Sequence, residues 1–154
     1  MTSINILFVD NNKPFIETIA QRLRERGFTV DCVFSGMTAL NRLEETNTID
    51  IVFLDLQLPD LDGIQTLSIL KKKHPLVEVV ILTGHPTVNS VVEAFKCGAF
   101  DYLTKPSKLN DLISKATQAA ARKKEREDKI LNVRMTPYLS TRERNKLISD
   151  ILGT

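Results

Sequence analysis

Four polar residues in this 154-residue sequence lie at the ends of short runs typical of strands: Asp10, Asp55, Thr83 and Lys105. The run before Asp55, residues 51–54, is apolar throughout. Carboxylates are the oxygen ligands that a hard cation such as Mg²⁺ takes, usually one or two together with phosphate oxygens. An ammonium and a hydroxyl can both donate hydrogen bonds to an anionic oxygen. If the four side chains meet, they are therefore suited to neutralising a phosphoryl group while a carboxylate attacks it.

The elements that must position these residues are predicted from the apolar patterning. A continuous apolar run rich in Ile, Val and Phe is typical of a strand buried on both faces. The predicted strands cover residues 5–9, 28–34, 49–54, 77–82 and 100–103. Helical periodicity, with Ser or Pro at helix starts and Gly at helix ends, predicts a helix after each strand.

Five β-α units in strict alternation predict an α/β protein with a doubly wound five-stranded parallel sheet and helices on both faces. Alternation alone leaves the order of the strands open. Because ligands bind beyond the carboxyl ends of such strands, the four polar residues are expected to meet at one edge of the sheet. Taken alone, Asp55 could merely cap a turn, but the other three residues favour a site.

The overall composition is that of an ordinary globular protein, with 42% hydrophobic and 26% charged residues. No apolar run has the length of a membrane span, and the first residues lack the pattern of a signal peptide, so we expect a cytoplasmic protein. Cys32 and Cys97 lack the spacing of metal ligands and are expected to be buried or half-buried thiols. Residues 122–154 hold nine Lys/Arg and five Asp/Glu, against 12 and 14 in residues 1–121. This change in charge predicts a boundary at residue 121.

Residues 4–121 resemble the receiver domain of two-component response regulators. The motifs that carry the resemblance are Asp10 after the first strand, Asp55-Leu56-Gln57-Leu58-Pro59-Asp60 with Gly63, Thr83-Gly84, Tyr102 and Lys105-Pro106. The resemblance implies a flavodoxin-like (βα)5 receiver fold. It also implies a signalling switch rather than an enzyme, with slow self-dephosphorylation only. The phosphoryl group would come from a sensor histidine kinase or a phosphotransfer protein.

The resemblance further implies roles for individual residues. Asp55 would be the phosphoacceptor, Lys105 would contact the phosphoryl group, and Thr83 would move toward it. Tyr102 would be the switch aromatic that turns inward as Thr83 moves. The implied ligands of a Mg²⁺ cofactor are Asp10, Asn11, Asp55 and the main-chain carbonyl of Gln57.

Asn11 departs from the family pattern, which usually has two adjacent acids after the first strand. Its amide oxygen can coordinate Mg²⁺ but brings a dipole where a full charge is expected, so we predict weaker metal binding and slower phosphoryl transfer. The missing charge also lessens the repulsion of an incoming phosphate, and the sequence does not decide which effect dominates. The alternative function is a pseudo-receiver, an interaction module that is not usefully phosphorylated. Asn11 supports it, whereas Asp55, Thr83 and Lys105 favour a working receiver.

Two other functions on similar folds are disfavoured by single residues. A flavodoxin-type flavin carrier needs a phosphate loop rich in Ser, Thr and Gly after the first strand, where this sequence has Asp10. A phosphatase of the haloacid dehalogenase type needs an Asp two residues after its nucleophile, where this sequence has Gln57.

Residues 122–154 are predicted to form a charged helical extension with a terminal amphipathic helix. Opposite charges at i,i+4 spacing predict a helix over 122–129 that projects beyond the domain with no face to bury. A capping-box pattern at Ser140 predicts a second helix, and its apolar stripe needs a partner: the receiver itself, a second subunit in a homodimer, or another protein. The extension is too short for a winged-helix module, so we expect no DNA-binding domain and output through a downstream protein target.

Overall fold

The computed structural model describes residues 3–153 and contains five strands that alternate with helices. The strands are β1 (Asn5–Val9), β2 (Thr29–Val33), β3 (Ile51–Leu54), β4 (Glu78–Thr83) and β5 (Asp101–Thr104). The helices are α1 (Lys13–Glu25), α2 (Gly36–Glu45), α3 (Gly63–Lys73), α4 (Val88–Lys96), α5 (Leu109–Met135) and α6 (Thr141–Leu152). The predicted alternation is confirmed. None of the helices within residues 3–153 is long and apolar enough to cross a membrane.

The five strands form one parallel sheet in the order β2-β1-β3-β4-β5. This confirms the doubly wound architecture and supplies the order that alternation left open. Four of the five predicted strands differ from the structure by one or two residues at their bounds, and two of these differences bear on the site. β4 continues through Thr83 and β5 through Thr104, because these two residues pair with each other in the last register position. Thr83 is therefore the last residue of a strand, whereas the sequence placed it just after one.

The core lies in two layers, one on each face of the sheet. On one face, apolar side chains of α1 and α5 pack against alternate strand residues such as Phe8 and Phe53, whose stacked rings have centroids 4.9 Å apart. On the other face, α2, α3 and α4 pack against residues such as Leu7 and Val52. Because both faces of the inner strands are covered, every residue of β3 and β4 is buried. This two-sided burial is why these strands have no polar alternation.

The basic part of α5 is not a projecting helix, and that prediction is wrong. Arg126 is only 7% exposed and its Nη1 donates to Glu78 Oε1 at 2.7 Å. Glu78 is the fully buried first residue of β4. Lys123 Nζ similarly donates to Asp50, just before β3, at 3.1 Å. Acids at the amino ends of two strands thus give the basic side of α5 a surface to pack on, while the predicted Lys123–Glu127 pair also forms, at 3.2 Å.

Helix α6 folds back onto α5. Ser140 forms the predicted capping box with Glu143, and Gly153 ends the helix in the left-handed conformation. The carbonyl of Leu152 accepts a hydrogen bond from Arg126 Nη2 at 3.2 Å. The partner of α6 in this structure is therefore its own chain. Thr154, the last residue of the predicted extension, lies outside the described residues.

Candidate functional site

Backbone hydrogen bonds place the candidate residues at the carboxyl edge of the sheet. The N–H of Asp10 donates to Val33 O at 3.2 Å, and the N–H of Asp55 donates to Val9 O at 2.9 Å. The N–H of Lys105 donates to Thr83 O at 2.8 Å. Each of the three residues thus continues the sheet ladder by one bond beyond its strand, so its backbone is held by the neighbouring strand.

The structure brings together the side chains of Asp10, Asp55 and Lys105. Lys105 Nζ lies 2.5 Å from Asp10 Oδ2 and 3.1 Å from Asp55 Oδ2. Asp10 is 2% exposed and Asp55 is 7% exposed. Nζ also lies 4.5 Å from the centroid of the Phe15 ring, at cation–π distance. Two nearly buried carboxylates therefore share one ammonium at the edge of the sheet.

The remaining carboxylate oxygens are held by backbone N–H groups. Asp10 Oδ1 accepts from the N–H of Asn12 at 2.9 Å, and Asp55 Oδ1 accepts from the N–H of Gln57 at 3.2 Å. Each acid thus bonds to the residue two positions further on, a turn that Asp side chains favour. This arrangement fixes the orientation of both carboxylates and leaves Lys105 as the partner of their outer oxygens.

Thr83 and Tyr102 lie nearby but outside this charged cluster. Thr83 is fully buried, and its Oγ1 accepts a hydrogen bond from the N–H of His85 at 3.3 Å. Tyr102 is half-buried in β5, and its Oη lies 3.1 Å from Oγ of Ser90 in α4. The hydroxyl of Thr83 is therefore bonded to its own loop, and the hydroxyl of Tyr102 joins β5 to α4.

The residues at this edge fit a magnesium ion by the chemistry of their donor atoms. Asp10, Asp55, the Asn11 amide and the main-chain carbonyl of Gln57 all offer oxygen, which Mg²⁺ prefers, and two carboxylates with retained waters satisfy its usual needs. Within residues 3–153, no three or more His, Cys, Asp or Glu side chains converge in a way that could hold a metal. The donor set therefore carries less negative charge than a pair of adjacent acids after β1 would give.

Two contacts of the site were not predicted from the sequence. Phe15 has the helical spacing of a core residue in α1, and nothing in that pattern indicates its contact with Lys105. Ser90 caps α4 together with Thr87, and this local role conceals its bond to Tyr102. Both contacts depend on how a helix is placed over the sheet, which short-range sequence patterns do not determine.

Comparisons with known proteins agree on one family. The family model described as the response regulator receiver domain matches residues 6–117. The regulatory protein AtoC of Escherichia coli strain K12 is 34% identical over 129 residues, which are 81% of this chain and 28% of AtoC. A putative response regulator NtrX-like of Rickettsia conorii is 35% identical over 133 residues, which are 83% of this chain and 28% of that protein.

A solved structure gives the same result. The crystal structure of a response regulator receiver domain protein from Clostridium thermocellum superimposes with a TM-score of 0.75 and 35% identity. The match covers 79% of this chain and 97% of that one. The chain spans less than a third of the length of the two curated relatives, 28% in each case.

Proposed function

This chain belongs to the response regulator receiver domain family, and we propose that it is a phosphorylation-dependent signalling switch whose phosphoacceptor is Asp55. The observation that carries the proposal is the Lys105 ammonium, which bonds to the carboxylates of both Asp10 and Asp55. Receiver domains belong to signalling proteins rather than classical enzymes. The proposed donor is a sensor histidine kinase or a phosphotransfer protein.

The proposed reaction uses Asp55 as a nucleophile. One of its carboxylate oxygens forms a bond to phosphorus while the bond between phosphorus and the donor histidine nitrogen breaks, and the electron pair leaves with that nitrogen. The N–H of Gln57 orients the carboxylate by bonding to Oδ1. Lys105 is already bonded to Oδ2 and can follow the transferred group by bonding to a phosphoryl oxygen. Because Asp55 is only 7% exposed, these charges are weakly screened by solvent.

The proposed cofactor is Mg²⁺, which when bound supplies positive charge that neutralises the phosphoryl oxygens. Asp10, Asn11, Asp55 and the carbonyl of Gln57 would hold it. Asp10 Oδ2 and Asp55 Oδ2 are both bonded to Lys105, so these oxygens are preformed acceptors for a cation. Asn11 contributes a neutral oxygen, and for this reason we expect the affinity for Mg²⁺ to be lower than that of a site with two adjacent acids.

The proposed switch links Thr83 to Tyr102. The Thr83 hydroxyl accepts a hydrogen bond from the N–H of His85, so it can still donate its own proton to a phosphoryl oxygen on Asp55. The neighbouring bond between Tyr102 and Ser90 ties β5 to α4, so an inward turn of Tyr102 would break that tie and change the surface of α4. Phosphorylation thereby shifts the population between two arrangements of this surface. A downstream protein target would read the surface.

The test is the intact mass of the protein after incubation with a small phosphodonor and Mg²⁺. We expect the wild type to gain one phosphoryl group and Asp55→Asn to gain none. The matched control is Asp111→Asn, which makes the same chemical change at an exposed position of α5 and should behave like the wild type. An adduct on Asp55→Asn would place the acceptor elsewhere. No adduct on the wild type, together with no binding of beryllofluoride, would make the pseudo-receiver interaction module the better function.

A further inference from the structure

The loop of residues 56–62, between β3 and α3, is held tightly at its base. The N–H of Gly63 donates to Leu56 O at 2.9 Å. A Cβ added to Gly63 would lie 2.4 Å from Leu56 Cα and 2.5 Å from the carbonyl oxygen of Asp55. Both distances are shorter than the contacts that Cβ atoms make in proteins, so only glycine fits here. The first residue of α3 therefore packs directly against the backbone of the proposed acceptor, Asp55. This contact closes the base of the loop that carries Gln57.

A second point of the loop, Asp60, is tied to a different helix. Its Oδ1 accepts from the N–H of Gly36 at 3.0 Å, and its Oδ2 accepts from the N–H of Met37 at 2.9 Å. These N–H groups belong to the first turn of α2, where backbone donors lack partners within the helix and the helix dipole favours a negative charge. A Cβ added to Gly36 would also lie 3.2 Å from Leu61 Cβ. The loop and the start of α2 are thus in close contact.

The charge of Asp60 agrees with this geometry. Loss of hydration raises the pKa of Asp60, but the N–H groups of Met37, Leu61 and Gly36 together outweigh that effect and lower it below its usual value. The carboxylate is therefore charged at neutral pH, and its charge stabilises the contact between the loop and α2. Asp60 is nevertheless an exposed residue, so its replacement removes these two bonds without opening a cavity in the core.

We propose that Asp60 is a positioning residue of the acceptor site: by tying the loop to α2 it fixes the main-chain carbonyl of Gln57 as a Mg²⁺ ligand. This inference rests on the proposed function. Gln57 lies between the base of the loop and Asp60, and its own side chain is exposed. With Leu56 and Asp60 both held, the direction of this carbonyl is set before a cation arrives. Groups that orient metal ligands in this way tune metal affinity although they do not touch the metal.

A competing explanation is that Asp60 only caps α2. Replacement of Ser35, which also caps α2, distinguishes this explanation from the positioning role. Ser35 Oγ accepts from the N–H of Thr38 at 3.2 Å and so caps the same helix, but Ser35 lies in the connection between β2 and α2. Ser35→Ala removes a cap from α2 without touching the loop, whereas Asp60→Ala removes the bonds that join α2 to the loop. Asp60→Asn keeps one acceptor oxygen and should fall between the wild type and Asp60→Ala.

The experiment uses the full chain and measures three quantities in each variant. These are the Kd for Mg²⁺ by calorimetry, the hydrogen–deuterium exchange of residues 56–61, and the melting temperature. For Asp60→Ala we expect the Kd to rise roughly threefold to tenfold, at or below the range found for groups that orient metal ligands. Exchange in the loop should become faster. Phosphorylation by a small phosphodonor should slow at low Mg²⁺ and recover at saturating Mg²⁺.

Ser35→Ala should lower the melting temperature while leaving the Kd for Mg²⁺ and the exchange of the loop as in the wild type. The positioning role is overturned if Asp60→Ala and Ser35→Ala lower the melting temperature alike with unchanged Kd and loop exchange. If the wild type neither binds Mg²⁺ nor accepts a phosphoryl group, the proposed function fails and the role of Asp60 fails with it. The wild type distinguishes these failures, because it still binds Mg²⁺ when only the role of Asp60 is wrong.

Discussion

Replacement of Arg126 by Met is expected to destabilise the protein strongly, although Arg126 lies beyond the segment that matches the family model. Its guanidinium is buried against Glu78, a carboxylate with no exposed surface at the start of β4. Removing one partner of a buried ion pair leaves the other charge without compensation, which typically costs about 3–5 kcal/mol.

The surroundings of the ion pair reduce this cost to the lower end of that range. Arg122 Nη1 stays 2.8 Å from the other oxygen of Glu78, and Lys71 Nζ stays 3.8 Å from Oε1, so the carboxylate keeps two cations. Within residues 3–153, buried Nε of Arg126 has no hydrogen-bond partner, and removing this donor offsets part of the loss. Loss of the bond to Leu152 O adds about 1 kcal/mol. We expect a net loss of about 3 kcal/mol in the free energy of unfolding.

The assay is urea denaturation followed by circular dichroism, supported by thermal melting. A loss of this size corresponds to a fall in melting temperature of roughly 6–12 °C for a chain of this length. The control is Arg134→Met, which makes the same change at an exposed position of the same helix and should stay within about 0.5 kcal/mol of the wild type.

A double variant separates the ion pair from general loss of packing. Glu78→Gln alone should also destabilise, because it leaves the buried guanidinium of Arg126 without a carboxylate partner. Glu78→Gln combined with Arg126→Met should lose less than the sum of the single changes by about 0.5–3 kcal/mol, the coupling expected for side chains in contact. Additive losses, or equal effects of Arg126→Met and Arg134→Met, would refute the reasoning that this pair anchors α5 to the sheet.

Three further predictions concern the site and the same cluster. Asn11→Asp should lower the Kd for Mg²⁺ by roughly fivefold or more, since ligand charge tunes affinity for such cations; an unchanged calorimetric Kd would contradict the account of Asn11. Lys105→Ala should still gain a phosphoryl mass but should no longer shift the NMR signals of the Tyr102 ring, and a shift like that of the wild type would argue against coupling through Lys105. Burial lowers the pKa of Lys71 to about 8, although Glu78 opposes this, whereas the unfolded chain keeps that proton up to about 10.5. Between these values the unfolded state binds more protons, so the free energy of unfolding should rise with pH, by roughly 3 kcal/mol at most. In urea denaturation at a series of pH values, Lys71→Met should lack this rise. If the free energy of unfolding changes with pH in parallel in the wild type and the variant, the prediction is wrong.

Most of the fold was predictable because its signals are local. The unbroken apolar runs of β3 and β4 reflect burial on both faces, and the caps at Ser35 and Ser140 are each satisfied within one helical turn. The strand ends at Thr83 and Thr104 were missed because they depend on pairing between strands. The sequence also predicts which residues reach the carboxyl edge, since that follows from parallel strands alone.

The residues that were misjudged or overlooked have partners far away in the sequence. Arg126 bonds to a residue 48 positions earlier, so its charged neighbourhood pointed to a solvated helix when only nearby residues were considered. Asp60 bonds to a helix 24 positions earlier and sits among turn residues, where a local role already accounts for an Asp. A charged residue carries no local sign of burial, because burial of a charge depends on its partner.

The two ends of the sheet show what distinguishes a site from a structural ion pair. At the amino end, Glu78 is fully buried and surrounded by three cations that are held on helices α3 and α5. Its charge is compensated and no ligand can reach it. At the carboxyl end, Asp55 keeps 7% of its surface exposed and has, within residues 3–153, one cationic partner, the side chain of Lys105. Such a carboxylate can exchange its partner for a ligand more readily than Glu78 can, because it has to release one partly exposed lysine rather than three cations. Of the two carboxylates compared, Glu78 and Asp55, we therefore expect Asp55 to react, because its charge is less fully compensated and its surface is accessible to a ligand.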